Sequence, residues 1–326
     1  MALDTALTTT VTTSQAVKNR YYDELFLRQA DKKLVYKQLG QLNRQVPQGM
    51  GGYGTGVLYW TKWVNLATIT AAGTQGAPTS ALTFSAINVT GTTAQYDSAV
   101  SISDIMAYTA FGDVMKAAIE RLAYNAGLSI DTIVRNAVIG SGTSQTGSAT
   151  AYWSACPAGA YLIGSEIRKA VRTLRRNDAT PQDDGNFVAV AHPDAIFDLQ
   201  GDTTVGGWVT SNTYADATNI FTGEVGKFYG TRFLESSNAF TRGSSFATGS
   251  AVVASTTIYV TSIFGKDAFG VSELQQLKTY VKPFGSGGVG DPTDKIATAG
   301  WKTMFGANML NTNFYVDIST CVSSTA

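Results

Sequence analysis

One histidine occurs in the chain, His192, within AVAHPDAIFDLQ, Ala189 to Gln200. Imidazole is the side chain best suited to proton transfer and metal binding near neutral pH, so it is the first place to look for chemistry. A metal site would need further His, Cys or carboxylate ligands at suitable spacing, and there is no second histidine. A Ser-His-Asp system needs a nucleophile on a recognisable turn, and no G-x-S-x-G occurs. Pro193 instead suits a first helical position, where its missing N–H costs nothing, and Asp194 suits the first turn. Ala195, Ile196 and Leu199 supply a buried face. His192 is therefore expected to mark where strand Asn186–Ala191 hands over to a short helix, with no protonation role.

Two further patterns invite chemistry. GSGGVG, Gly285 to Gly290, formally matches the dinucleotide pattern G-x-G-x-x-G, which needs a strand before it and a helix opening immediately after. Pro283 precedes it and DPTDK follows with no amphipathic run, so a plain loop is expected. No G-x-x-x-x-G-K-[ST] phosphate loop occurs. Arg168, Lys169, Arg172, Arg175 and Arg176 crowd one short stretch with only Glu166 beside them. They read as a solvated basic face or an ion-pairing contact between subunits, with phosphate contact as the competing reading. Asp178, Asp183 and Asp184 follow and should partly cancel the field. Cys156 and Cys321 have no metal-ligand spacing; one disulfide between them is open, and two free thiols in a reducing compartment is the simpler reading. No catalytic, cofactor-binding or metal-binding residue can be named.

Bulk properties agree with a chain that meets other protein. The 326 residues carry 24 Lys+Arg and 24 Asp+Glu, a formal net charge of +0, which offers no overall attraction to nucleic acid or an anionic membrane. Charged residues are 15% of the chain, against roughly 25% in ordinary globular domains. A lone domain of this size normally carries more charge to keep clear of its neighbours. The N-terminal MALDTALTTTVTTSQ lacks the basic and apolar regions of a signal peptide, and no apolar run reaches membrane-spanning length. A cytoplasmic site of synthesis and no membrane partner are expected.

The elements that would carry these residues come in a distinctive order. Residues 1–50 form an arm in which Val17, Tyr21, Leu25 and Phe26 recur at helical spacing, with too little apolar surface to fold alone. Residues 51–103 hold two extended segments, GVLYWTKWVNLATIT and LTFSAINVTGTTAQYDSAVSIS, joined by the turn-rich AAGTQGAPTSA. An isolated hairpin is marginal in water, so this excursion needs a surface, with Trp60 and Trp63 as anchors. A long helix is predicted over Asp113–Val138, roughly 40 Å at 1.5 Å per residue, on Met115, Ile119, Leu122, Ala126, Ile130, Ile133 and Ala137. GSGTSQTGSATA from Gly140 reads as a loop, and Ser165 as the N-cap of a helix ending near Arg176. FLESSN, TTIYVTSIFG, AFGVSEL and TYVKPF read as strands, followed by two more in ATAGWKTMFGANMLNTNFYVDIS. The class is α+β.

This order of parts resembles the tailed-phage major capsid proteins of the HK97-type fold. EIRKAVRTLRRNDATPQDDGNFVAVAHPDAIFDL, IFTGEVGKFYGTRFLESSNAF, GKDAFGV and VKPFGSGGVGDPTDKIATAGWKTMFGANML look like blocks of a podophage-like capsid family. The resemblance implies a subunit of hexamers and pentamers in an icosahedral head around double-stranded DNA. It further implies an N-terminal arm (1–50), an extended loop lying on a neighbour (51–103) and a peripheral domain with the spine helix (104–164 and 291–326). Residues 165–290 would form an axial domain. Trp60, Lys62, Trp63, Arg168, Arg172, Arg175 and Arg176 become candidate inter-subunit contacts. About 50 residues before the loop are too few for a built-in scaffolding region, so a separate scaffolding protein is expected, with a portal and a decoration protein as further partners. No cofactor is implied. Some capsids of this fold weld subunits through Lys–Asn isopeptide bonds. Lys62, the only lysine between Met50 and Val100, and Asn308 or Asn311 form the conceivable pair, yet Lys62 sits near the base of the excursion and no carboxylate can be assigned as proton acceptor. A shell held by non-covalent contacts is expected. Two other readings compete: a nucleotide-dependent enzyme built on Gly285–Gly290, and a nucleic-acid-binding module using Arg168–Arg176.

Overall fold

The computed structural model of the chain describes residues 21–30, 34–43, 57–64, 66–70, 72, 75–76, 81–147, 159–182, 184–202, 224–242, 257–285 and 291–323. The Thr-rich lead, Val17, Pro47, Gly49–Gly52, most of AAGTQGAPTSA, Cys156, Asp183 and Ser286–Gly290 lie outside these residues. Two sheets and a long helix make the frame.

The spine is α4, Val114–Val138, with Asp113 at its N-cap accepting from the Lys116 N–H. Its buried residues include Ile119, Leu122, Ala126, Ile130, Val134 and Val138, a stripe stepping by three and four. That stripe passes through Val134 and Val138, where the sequence reading placed Ile133 and Ala137. Helical residues 21–30 (α1) lay Phe26 and Ala30 against the first half of α4, together with Trp301. The arm therefore finds its support on its own chain.

A four-stranded sheet packs on α4 in the order β1 (Gln41–Asn43), β11 (Phe269–Lys282), β12 (Ile296–Met309), β4 (Ala94–Ser103). AFGVSEL and TYVKPF are one 14-residue strand, not two. The polar Gln275-Gln276 between them looks like a break, but register shifts after Glu273 and Gln275 absorb the irregularity and pairing with β12 continues. The second half of the excursion also divides. β2 (Val57–Trp63) pairs with β3 (Ala86–Thr92), whereas β4 pairs along ten positions with β12.

The second sheet runs β5 (Thr143–Thr146), β13 (Tyr315–Thr320), β10 (Ile258–Phe264), β6 (Phe187–Ala191), β8 (Thr231–Glu235), β7 (Glu224–Phe228), with β9 (Thr241–Arg242) pairing β10. Every residue of β6 and β13 is buried, as expected of central strands covered on both faces. On one face, α5 (Gly164–Arg176) and α6 (Pro193–Gln200) set Ile167, Leu174, Ala195 and Leu199 against Ala189, Ile263 and Ile318. On the other, Val190, Phe264 and Tyr315 meet Ile130, Val134 and Val138 of α4.

Three expectations are corrected by this topology. The closing strands separate: β12 alternates buried and half-buried positions in the four-stranded sheet, while fully buried β13 joins β10. β11, placed before residue 290 with the axial part, belongs with β12. The sheets therefore divide the chain differently from the boundary at 290/291. Part of the Gly140 loop is strand β5, parallel to β13, because a partner edge outweighs the weak propensity of TSQT.

Candidate inter-subunit surfaces

His192 sits at the N-cap of α6, where its Nδ1 accepts the Asp194 N–H at 3.3 Å. Its ring lies 4.8 Å from that of Tyr259. Pro193 occupies the first turn, as its φ preference favours. The histidine closes a strand-to-helix junction, and among the described residues no group of His, Cys, Asp or Glu could hold a metal ion. His192→Asn, whose side chain can also accept the Asp194 N–H, is expected to fold with stability unchanged. His192→Ala should lose about 1 kcal/mol, the usual worth of a cap, measured by urea unfolding of the subunit. Equal losses in both variants would contradict the capping role.

Helix α5 starts without the expected cap. Ser165 lies inside the helix, Ile163 is at the cap position, and the buried first N–H, that of Gly164, donates to Asp202 Oδ2 at 2.9 Å. A cap supplied from 38 residues downstream cannot be read from local sequence. Glu166 is buried and engaged by Lys169 at 2.7 Å and by Gln145 Nε2. Arg168, Arg172, Arg175 and Arg176 remain on the exposed side. Arg168 stacks on Tyr229, 5.4 Å from the ring centre. Tyr229 and Gly230, both at positive φ, form the two-residue turn between β7 and β8 that a tight hairpin requires. Asp184, expected to oppose this charge, pairs with Arg232 at 3.2 Å. The four arginines, Val171 and Tyr229 line an open concavity of about 570 Å³.

The two tryptophans of β2 part company. Side chains alternate along a strand, and positions 60 and 63 differ by an odd number, so they face opposite ways. Trp60 is 7% exposed and fills a slot in its own chain, where a Cβ on Gly91 or Gly270 would stand 2.6 or 2.8 Å from its ring. It anchors the hairpin to its own subunit, which corrects its assignment as an inter-subunit contact. Lys62, on the same side, places Nζ 5.8 Å from the centre of the Phe314 ring. Tyr59 and Trp63 point outward, and Trp63 stacks on Phe84 with centroids 4.5 Å apart. Helix α3 (Asp104–Thr109) also buries none of its residues, leaving Ile105, Met106 and Tyr108 exposed beside Phe111. Sequence reading passed over this patch.

It also passed over Asp131, a fully buried carboxylate on the apolar side of α4. Oδ1 accepts the N–H groups of Val35 and Tyr36 at 2.9 and 2.7 Å, and Oδ2 accepts Asn238 Nδ2 at 3.0 Å. Asn238 is held in turn by Thr132 and Arg135. Burial pushes the carboxyl pKa up, and these hydrogen bonds pull it part of the way back.

The nucleotide reading fails on context. Gly285 follows β11, and the turn after Asp291 leads into β12, a strand, not the helix a pyrophosphate site needs. No described helix is long and apolar enough to cross a membrane.

A model of the phage capsid protein family matches residues 160–323, half of the chain. The chain belongs to that family. The capsid protein shares its fold with solved phage shells at low identity. The capsid of Ralstonia phage GP4 matches with a TM-score of 0.69 at 12% identity, covering 88% of each chain. The head structure of Helicobacter pylori bacteriophage KHP40 matches at 0.64 and 10% identity, over 89% of this chain and 88% of that one. The Cyanophage Pam1 capsid matches at 0.61 and 15%, over 84% and 87%. No curated protein matches. The fold is HK97-like, α+β, as the order of parts implied, and the capsid protein is a structural component of the virion that forms the head shell.

Proposed function

We propose that the capsid protein forms hexamers and pentamers of an icosahedral head around double-stranded DNA and has no enzymatic role. The observation that carries this reading is the β2–β3 hairpin. Its inner face is anchored by Trp60, while Tyr59, Trp63 and Phe84, the last two stacked on each other, stay more than half exposed on its outer side. Aromatic surface of this size is a feature of protein interfaces. In this reading α4 and the four-stranded sheet are the peripheral part, and the seven-stranded sheet with α5 and α6 is the axial part. Trp63 and the arginines of α5 contact neighbours, Lys62 lies at the rim of the hairpin contact, and Trp60 acts from within. Assembly takes place in the host cytoplasm with a separate scaffolding protein, a portal and possible decoration proteins, and DNA touches the shell only by weak, non-specific contact. Electron microscopy of the purified chain tests the proposal: rings, tubes or shells are expected, and a chain that stays monomeric with and without a co-expressed scaffolding protein would overturn it.

The shell is held without covalent links. Asn308 donates to the Thr90 carbonyl, and Asn311 Oδ1 accepts the Asn313 N–H, so both candidate asparagines have structural work in their own chain. Particles boiled in detergent should run as a single band near the monomer mass. A ladder of multimers would contradict this.

A further inference from the structure

The arginine concavity on α5 has an unmet electrostatic demand. Arg168, Arg172 and Arg176 follow one another at four-residue spacing, which puts like charges side by side on one helix face and destabilises the helix unless something anionic intervenes. Among the described residues no carboxylate forms an ion pair with Arg172, Arg175 or Arg176, and the one acid of α5, Glu166, is held by Lys169. The lining is mixed: Val171 and the Tyr229 ring, which carries Arg168 over it, stand with the other arginines. A site with apolar and cationic parts side by side fits an apolar knob flanked by carboxylates.

The same chain carries such a knob. On α6, Asp194, Phe197 and Asp198 stand at spacings of three and four and so share one face. Phe197 is 67% exposed, while Ala195, Ile196 and Leu199 take the buried side. The helix has two acids and no base. His192 and Tyr259 border Asp194, and Ser323 donates to Asp198, so both carboxylates are oriented but stay on the surface side of α6. No residue of α6 lines the concavity of its own chain. The chain as a whole is neutral, but α5 carries five basic residues to one acid, and α6 two acids to no base.

We propose that the α5 concavity receives the Asp194–Phe197–Asp198 knob of a second copy of this chain. Phe197 enters between Val171 and Tyr229, and the two carboxylates meet the arginines, for which planar guanidinium forks are the best partners. Knob and concavity are different surfaces of one subunit, so the contact is head-to-tail, and such contacts close into rings when the rotation allows. A duplex nucleic acid is the poorer occupant, since an open concavity of about 570 Å³ admits an aromatic side chain but not a double helix.

The inference rests on the capsid reading, and wild-type assembly serves as the control that separates the two. If the wild-type chain forms no capsomers even with a co-expressed scaffolding protein, the proposed assembly has failed. If it does, two variants decide the contact: Phe197→Ala, and Arg172→Gln with Arg176→Gln. All three substitutions are at exposed positions, so thermal unfolding of the monomers should match wild type. Capsomer yield by sedimentation should fall at least tenfold in each, and added salt should weaken wild-type assembly more than that of the arginine variant. Wild-type yield from either variant would overturn the proposal. So would an arginine variant whose only defect is poorer retention of packaged DNA, which would hand the concavity to nucleic acid. Should a variant fail to melt like wild type, particles of the Phe197→Cys, Arg172→Cys chain provide a second readout. Mild oxidation should link subunits in these and not in either single cysteine variant, and absence of the link would overturn the contact.

Discussion

A chain in which Val57–Thr92 is replaced by a short glycine link is expected to fold as a monomer and to build no stable shells, while a chain lacking residues 57–100 should not fold at all. The contrast follows from where each strand is paired. β2 and β3 bond to one another, with Val57 opposite Thr92, so the two ends of the removed segment lie one strand spacing apart and a link of about two residues closes the gap. The hairpin leaves behind the place beside Gly270 where the Trp60 ring lay and the Asn308 amide that donated to the Thr90 carbonyl, a loss of local packing at the edge of the fold. The outward row of Tyr59, Trp63 and Phe84 goes with it, and with that row the surface proposed to bind a neighbour. Extending the deletion to residue 100 removes seven of the ten β4 positions that pair with β12, from Ala94 to Val100. It also takes Tyr96, which packs on Phe305 at 5.0 Å beside α4. Circular dichroism and sedimentation separate the outcomes. A shorter deletion that unfolds the subunit would make the hairpin part of the core, and one that still forms shells would remove it from the interface.

What could be read from sequence was what repeats locally. The spine helix was legible because its apolar period runs unbroken for 25 residues, and the His192–Pro193 junction because proline and the following acid have fixed positional preferences. Strand alternation alone also separates Trp60 from Trp63, although the sequence reading gave both the same role. Long-range features were not. The Asp202 cap on α5, the pairing of TSQT with β13 and the separation of β12 from β13 depend on chain segments far apart in sequence. The arginine face was visible as a cluster, but Phe197 drew no attention, because a phenylalanine at helical spacing beside Ile196 and Leu199 looks like core until the helix has been placed on its sheet. Asp131 left a faint mark: a carboxylate directly beside Ile130 on an otherwise apolar stripe is out of place and asks for partners.

Asp131→Ala is expected to cost about 3 kcal/mol, the largest loss from any single substitution considered, because removing one partner from a buried charged network strands the others. The substitution takes the acceptor from the Val35 and Tyr36 N–H groups at the start of helix α2 (Tyr36–Leu39) and from Asn238 Nδ2. Asn238 then no longer ties the segment after β8 to Thr132 and Arg135 on the spine in the same geometry. One carboxylate thus joins the arm at residues 35–36 and the segment at Asn238 to the spine helix. Urea unfolding measures the loss, and a cost under about 1 kcal/mol, that of an ordinary surface change, would mean the network is incidental. The pH dependence provides a second check with a definite sign. Burial raises the Asp131 pKa above its value in the unfolded chain, so the folded state holds the proton more tightly. Its contribution to stability is fully present below the unfolded value, about 3.9, and is lost as pH rises through the raised folded value. Asp317 is displaced the same way, chiefly by burial, and masks the effect in the wild type alone. The difference between wild type and Asp131→Asn isolates it: the wild-type advantage should be greatest near pH 4 and shrink toward pH 7. An advantage that grows with pH would mean that hydrogen bonding outweighs burial at Asp131.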